Sequence, residues 1–316
     1  MMRAPVALVV ALACMGAPSG LAQTTFKSGI EAVRLDVSVM RDGRPLRGLT
    51  ADDFIVTDND VPQRLESMAL DTAALNVIMA LDNSGSMTGE KLTHLIDAAT
   101  AVVNDLRGTD QGALITFSEH VERRVPLTSD RDRLARGVRA LRASGGTALR
   151  DAILAALALE EDEDHRTVLL VFSDGQDTSS WLTERNMFEA VRRARPIIHA
   201  IEIPEERVGS TPPPLLTTSP NADPRKPPAP GSTPLAGSFL EVMTRAAGGR
   251  YWRATKPEQL QAVFRAALDE MRTRYELTFY PPVPNRPGWH RVDVRLKRGA
   301  ATIAARPGYL VESSRP

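Results

Sequence analysis

"NVIMALDNSGSMTG", residues 76–89, leaves an apolar run and at once sets out an acid and two serines at alternate positions, Asp82, Ser84 and Ser86. A run that is apolar at consecutive positions suits a strand covered on both faces, because neither side meets water. Three more such runs follow: "GALITF" (112–117), "TVLLVFS" (167–173) and "IIHAIEI" (197–203). Amphipathic helices are expected between them. One over 90–106 places Leu92, Leu95, Ile96, Ala99, Val103 and Leu106 on a single stripe, and others cover 130–141, 148–159 and 183–194. Strand alternating with helix from residue 76 to 203 predicts an α/β fold, a doubly wound and mostly parallel sheet.

Outward from this core the style changes. Before it, "VRLDVSVMRDGRPLRGL" alternates apolar and polar residues and turns at "RDGRP". After it, "YELTFYPP", "WHRVDVRLKR" and "ATIAARPGYLVE" alternate in the same way. Each flank alone is too small to close a core, so the two are expected to pair into one β-sandwich-like module. Residues 204–237, with "TPPPLL" and "DPRKPPAPGSTP", read as a proline-rich surface loop; helices resume at Ser238–Ala247 and Pro257–Thr273, with a turn and short strand at "GGRYWRA". The expected division is a signal peptide over 1–22, a β-rich flank over 23–73, the α/β domain over 74–274 and a second β-rich flank over 275–316.

The signal peptide is read from one Arg, a short apolar core from Ala4 to Met15, the breaker "GAPSG", and small residues at Gly20 and Ala22. Export to a periplasmic or extracellular space is the consequence. The single cysteine, Cys14, lies inside this segment, so the exported chain has no thiol chemistry; the rival is a lipoprotein signal, whose approach to the cysteine "ALA" matches poorly. No transmembrane segment is expected, since no later run approaches about 20 apolar residues. Lys plus Arg and Asp plus Glu are both 39 in 316 residues, which gives no overall field to hold nucleic acid.

The chemistry concentrates where the first strand ends. Open α/β sheets place ligands at the carboxyl ends of their strands. There, Asp82, Ser84 and Ser86 can aim three oxygen donors at one point, the donor type that a hard cation such as Mg²⁺ takes. Two more pieces arrive at other element ends: Thr147 in "SGGTALRDAI" at a helix start, and Asp174 in "VFSDGQD" at a strand tip. An EF-hand does not fit, because counting from Asp82 the turn glycine falls on Met87 and the closing acid on Thr93.

D-x-S-x-S, then Thr, then Asp in an SDG turn resembles the metal-ion-dependent adhesion site of von Willebrand factor A domains, a superfamily that includes the integrin inserted domains. The resemblance implies that Ser84 and Ser86 bind a divalent cation directly. Thr147 would bind it directly or through water, and Asp82 and Asp174 would hold coordinating waters. It also implies a partner protein that donates a carboxylate to the metal. Mg²⁺ is the expected ion, and oxygen donors suit Mn²⁺ and Ca²⁺ as well. The flanks "GRPLRGLTADDFIVTDNDVPQ" and "ARPGYLV" are similar to those of exported bacterial proteins with such a core.

Enzymatic motifs are not found: no G-x-S-x-G elbow, P-loop, G-x-G-x-x-G or H-E-x-x-H. The expectation is a non-enzymatic, metal-dependent binding or adhesion protein, with a structural subunit of an envelope assembly as the alternative. His199 in its apolar strand is read as a hydrogen-bonded core residue, Asp177 as a loop cap, the run Glu160–His165 as a solvated helix end, and Trp181, Tyr251, Trp252 and Trp289 as packing residues.

Overall fold

The structure, a computed structural model, describes residues 32–70, 73–159, 165–203, 238–254, 259–281 and 286–312. The expected signal peptide with Cys14, the acidic run before His165 and the proline-rich segment lie outside the described residues.

The chain opens with β1 (Val33–Arg41), β2 (Arg44–Pro45), β3 (Phe54–Asp58), β4 (Val61–Gln63) and β5 (Leu65–Leu70). The α/β part follows as β6 (Ala74–Asp82), α1 (Glu90–Asp105), β7 (Gln111–Phe117), β8 (Val121–Thr128), α2 (Arg131–Arg139) and α3 (Leu149–Leu157). It continues through β9 (His165–Ser173), α4 (Glu184–Arg193), β10 (Ile197–Glu202), α5 (Phe239–Ala246), β11 (Tyr251–Arg253) and α6 (Leu260–Met271). β12 (Arg274–Phe279), β13 (Gly288–Leu296), β14 (Thr302–Ala304) and β15 (Gly308–Val311) close the chain.

The central sheet has six strands in the order β11-β10-β9-β6-β7-β8, parallel throughout except that β8 runs against β7. β8 is a strand that the apolar runs do not announce. Its "VERRVPLT" carries three charges and a proline, a composition that an edge strand tolerates and a central one does not. Alternate residues of the middle strands face opposite layers. Met79, Leu81, Leu170 and Phe172 meet α1 and α6, and Phe264 of α6 stacks on Phe172 with ring centroids 3.9 Å apart. Ala80, Val171 and Ala200 meet α3, α4 and α5. Both layers are dry, which is why the strand runs are apolar at every position.

The two flanks share one core. β1 pairs antiparallel with β12, and β3 with β13. Sheets β14-β1-β12-β5 and β15-β13-β3-β4 thereby enclose the inward-facing alternate residues of their strands: Leu35, Val37, Phe54, Val56, Tyr275, Leu277, Val292 and Val294. Arg274, fully buried, joins this module to the central sheet. Its guanidinium donates to the carbonyls of Asp36, Gly248 and Ala304 and lies 3.2 Å from Glu270. Arg306 reaches the carbonyls of Val191 and Pro196 nearby. These contacts sit at the amino ends of β10 and β11, which leaves the opposite, carboxyl edge of the sheet uncovered by the module. Among the described residues no helix is long and apolar enough to cross a membrane.

Candidate metal centre

β6 ends in Asp82 at that carboxyl edge, and the chain turns through a short 3₁₀ segment, Gly85–Met87. Met87 is fully buried and anchors the turn to the core, which leaves Ser86 half-buried and Gly85 exposed above it. The turn is tied to the loop before α3: the Gly85 amide donates to the Gly145 carbonyl and the Ser144 amide to the Asn83 carbonyl, both at 2.9 Å. A Cβ at Gly85 would stand 3.3 Å from the Gly145 oxygen, a tight contact that would push the two loops apart by a few tenths of an ångström.

Asp82 does not point freely into this space. Its Oδ1 accepts the Ser84 amide at 2.9 Å and its Oδ2 the Ser173 hydroxyl at 2.7 Å. Burial pushes the carboxyl up to about 6, with Asp174 adding to the shift and the hydrogen bonds from Ser84 and Ser173 opposing it. The Ser84 and Ser86 hydroxyls lie 3.1 Å apart. Ser173, the last residue of β9, joins the site without being among the sequence candidates, since it reads as the polar end of an apolar run.

Thr147 is buried and fixed through its backbone. Its amide donates to the Thr178 hydroxyl, and its carbonyl accepts the amides of Thr178 and Ser179, all at 2.9 Å. The segment after β9 therefore clamps the loop that carries Thr147. Asp174 follows Ser173 directly; its Oδ1 accepts the Gln176 amide at 3.1 Å, while its buried Oδ2 has no hydrogen-bond partner among the described residues. A buried anionic oxygen without a partner is costly, and a cation or its water would relieve it. The donor set fits a hard divalent cation for that reason and because two hydroxyls stand side by side. Among the described residues no three His, Cys, Asp or Glu cluster at a site, so a metal here would rest on hydroxyls and water.

Asp177 is a cap: its carboxylate accepts the Arg150 amide near the start of α3 and the Ser180 amide and hydroxyl, and it pairs with Arg150 at 3.3 Å. His199 is fully buried and accepts the Arg250 amide at Nδ1, and burial, with Arg274 and Arg250 beside it, holds it well below the usual imidazole range. Trp181 corrects the packing expectation. It is 95% exposed: its backbone amide and that of Leu182 donate to the Asp151 carboxylate, which fixes the chain there without covering the ring.

With this geometry in place, residues 77–176 match the von Willebrand factor type A domain family. The chain carries a von Willebrand factor type A domain. Inter-alpha-trypsin inhibitor heavy chain H4 of Bos taurus is 30% identical over 139 residues and that of Homo sapiens 30% over 138, each alignment covering 40% of this chain. The chain spans 15% of the length of these relatives. Among solved structures, the von Willebrand factor type A protein from Catenulispora acidiphila is 13% identical, with a TM-score of 0.49 over 92% of this chain and 76% of the other. Proximal thread matrix protein 1 from the mussel byssus, with a zinc-occupied MIDAS motif, is 14% identical, with a TM-score of 0.49 over 68% and 49%. Von Willebrand factor type A domains serve protein–protein interaction and adhesion generally.

Proposed function

We propose that this is an exported, non-enzymatic binding protein whose von Willebrand factor A domain holds a divalent cation, Mg²⁺ in the first place, at a metal-ion-dependent adhesion site and uses it to grip an acidic side chain of a protein partner. The observation that carries the reading is the division of oxygens at the carboxyl edge. Two hydroxyls, Ser84 and Ser86, stand together, while the Asp82 carboxylate is drawn back by the Ser84 amide and the Ser173 hydroxyl.

Ser84 and Ser86 would ligate the ion directly, Thr147 directly or through water, and Asp82 and Asp174 through water. The ion supplies concentrated positive charge with an open position. Neutral hydroxyls do not cancel that charge as directly ligating carboxylates would, so an outside carboxylate is attracted strongly. The chain's own residues would hold and orient the ion. Export rests on the pattern at residues 1–22.

The test is capture from envelope extract with the exported chain as bait, in Mg²⁺, in EDTA, and with the double variant Ser84→Ala, Ser86→Ala. A partner held in Mg²⁺ and released in both other arms is expected. Partners retained equally in all three would refute metal-dependent adhesion and move recognition to the flanks. The companion readout is thermal unfolding: Mg²⁺ at 100 times its Kd should stabilise the wild-type chain by about 2.7 kcal/mol and leave the double variant unmoved.

A further inference from the structure

Glu202 ends β10 in register with Ser173 of the neighbouring strand. In a parallel pair, registered residues put their side chains on the same face, and β6 continues the row with Asp82, whose Oδ2 accepts the Ser173 hydroxyl. Asp82, Ser173 and Glu202 thus form a polar row across the carboxyl ends of three adjacent strands. The row is bridged: the Ser173 hydroxyl also accepts the Gly175 amide, and Gly175 lies against the Glu202 carboxylate. A Cβ on Gly175 would fall 3.0 Å from Glu202 Cδ and Oε2, and Gly175 sits at φ +84°, so glycine is what lets the Asp174 turn close over this acid.

Glu202 is 7% exposed, and its Oε2 is buried without a hydrogen-bond partner among the described residues. Asp174 Oδ2, one residue before Gly175, is in the same condition. Two anionic oxygens without partners therefore flank one glycine. The ion pair available to Glu202 is Arg253, whose Nε stands 3.8 Å from Oε1 on a side chain that is 59% exposed. A loose pair with a solvated cation offsets little of the cost of burying a carboxylate. Tyr251 hydrogen-bonds the Glu202 side chain as well, a neutral partner that brings no countercharge: burial pushes its phenol up to about 12, and the Glu202 charge and this hydrogen bond add to the shift.

We propose that Glu202 is a sixth residue of the metal centre, an outer carboxylate that holds cation-bound water beside Asp174 and that Arg253 competes for. The proposal rests on the metal reading above. A carboxylate in this position strengthens binding of the ion without ligating it, as outer partners of metal sites do. Removing its charge weakens the site, and removing the rival Arg253 charge strengthens it.

The experiment is calorimetric titration of the full chain with MgCl₂, for wild type, Glu202→Gln and Arg253→Ala, with urea unfolding in EDTA as the control for fold. Glu202→Gln is expected to weaken Mg²⁺ by about 10-fold or more, while Arg253→Ala tightens it. Opposite signs are the decisive feature. Both variants destroy the Glu202–Arg253 pair, so a role that is only structural would move them in the same direction. Equal Kd for Glu202→Gln and wild type, or weakening in both variants, overturns the proposal. A wild-type chain that takes up no Mg²⁺ overturns the metal reading itself, a separate and distinguishable failure.

Discussion

The two edges of the central sheet both bury charge, and they settle it differently. At the amino edge Arg274 and Glu270 are fully buried, but Glu270 has Arg274 at 3.2 Å and Arg250 at 3.5 Å, and three carbonyls take the Arg274 guanidinium. At the carboxyl edge Asp82, Asp174 and Glu202 are each buried, Asp174 raises the cost of charge on Asp82, and Glu202 has the exposed Arg253 at 3.8 Å. One cluster is closed by the protein's own charges. The other lacks a buried countercharge of that kind, and on the proposed reading that difference separates a joint between modules from a site for a cation on the same scaffold.

The largest effect should come from breaking the closed cluster. Arg274→Met leaves Glu270 buried beside a single, longer ion pair and strips three carbonyls of their donor, so a loss of about 3–5 kcal/mol in urea unfolding is expected. Mg²⁺ uptake by the variant that remains folded should match wild type, since the carboxyl edge is untouched. A stability loss below about 1 kcal/mol would mean that the joint is not held by this arginine.

The open cluster should answer to pH. Folded Asp82 titrates near 6 against 3.8 for the ordinary carboxyl, so the stability tied to its protonated form is complete below about pH 4 and disappears as pH rises through 6. In EDTA the wild-type chain should lose about 3 kcal/mol over that interval relative to Asp82→Asn, and Mg²⁺ should restore it, because the ion stabilises the ionised form. Parallel pH profiles for the two chains in EDTA would show that Asp82 is not under strain without the metal. The smallest effect is assigned to Trp181. Trp181→Ala should change stability by less than about 0.5 kcal/mol, as expected of a ring that touches little.

Much of this is readable without coordinates. The runs at 76–81, 112–117, 167–173 and 197–203 coincide with β6, β7, β9 and β10 because burial on both faces forbids polar alternation. Asp82, Ser84 and Ser86 are legible because their placement is local, set within five residues of one strand end. Glu202 is not legible: it sits inside "IIHAIEI", and only the lateral pairing of β10 with β9 sets it beside Ser173. Arg274 likewise reads as an ordinary strand residue in "RTRYELTFY", since its partners come from Asp36, Gly248 and Ala304, far away in the chain. Trp181 misleads for a third reason. A tryptophan is usually covered, and here the backbone amides of Trp181 and Leu182 are fixed on Asp151 while the ring is left uncovered.

The central claim is that hydroxyls at the carboxyl edge hold a divalent cation while the carboxylates stand behind water. Crystals of the full chain grown with Mn²⁺ test it most directly, through an anomalous difference map. The account predicts one peak in direct contact with the Ser84 and Ser86 hydroxyls and separated from Asp82 by water. No peak at this edge, or a peak bound directly by Asp82 with the two serines turned away, would contradict it.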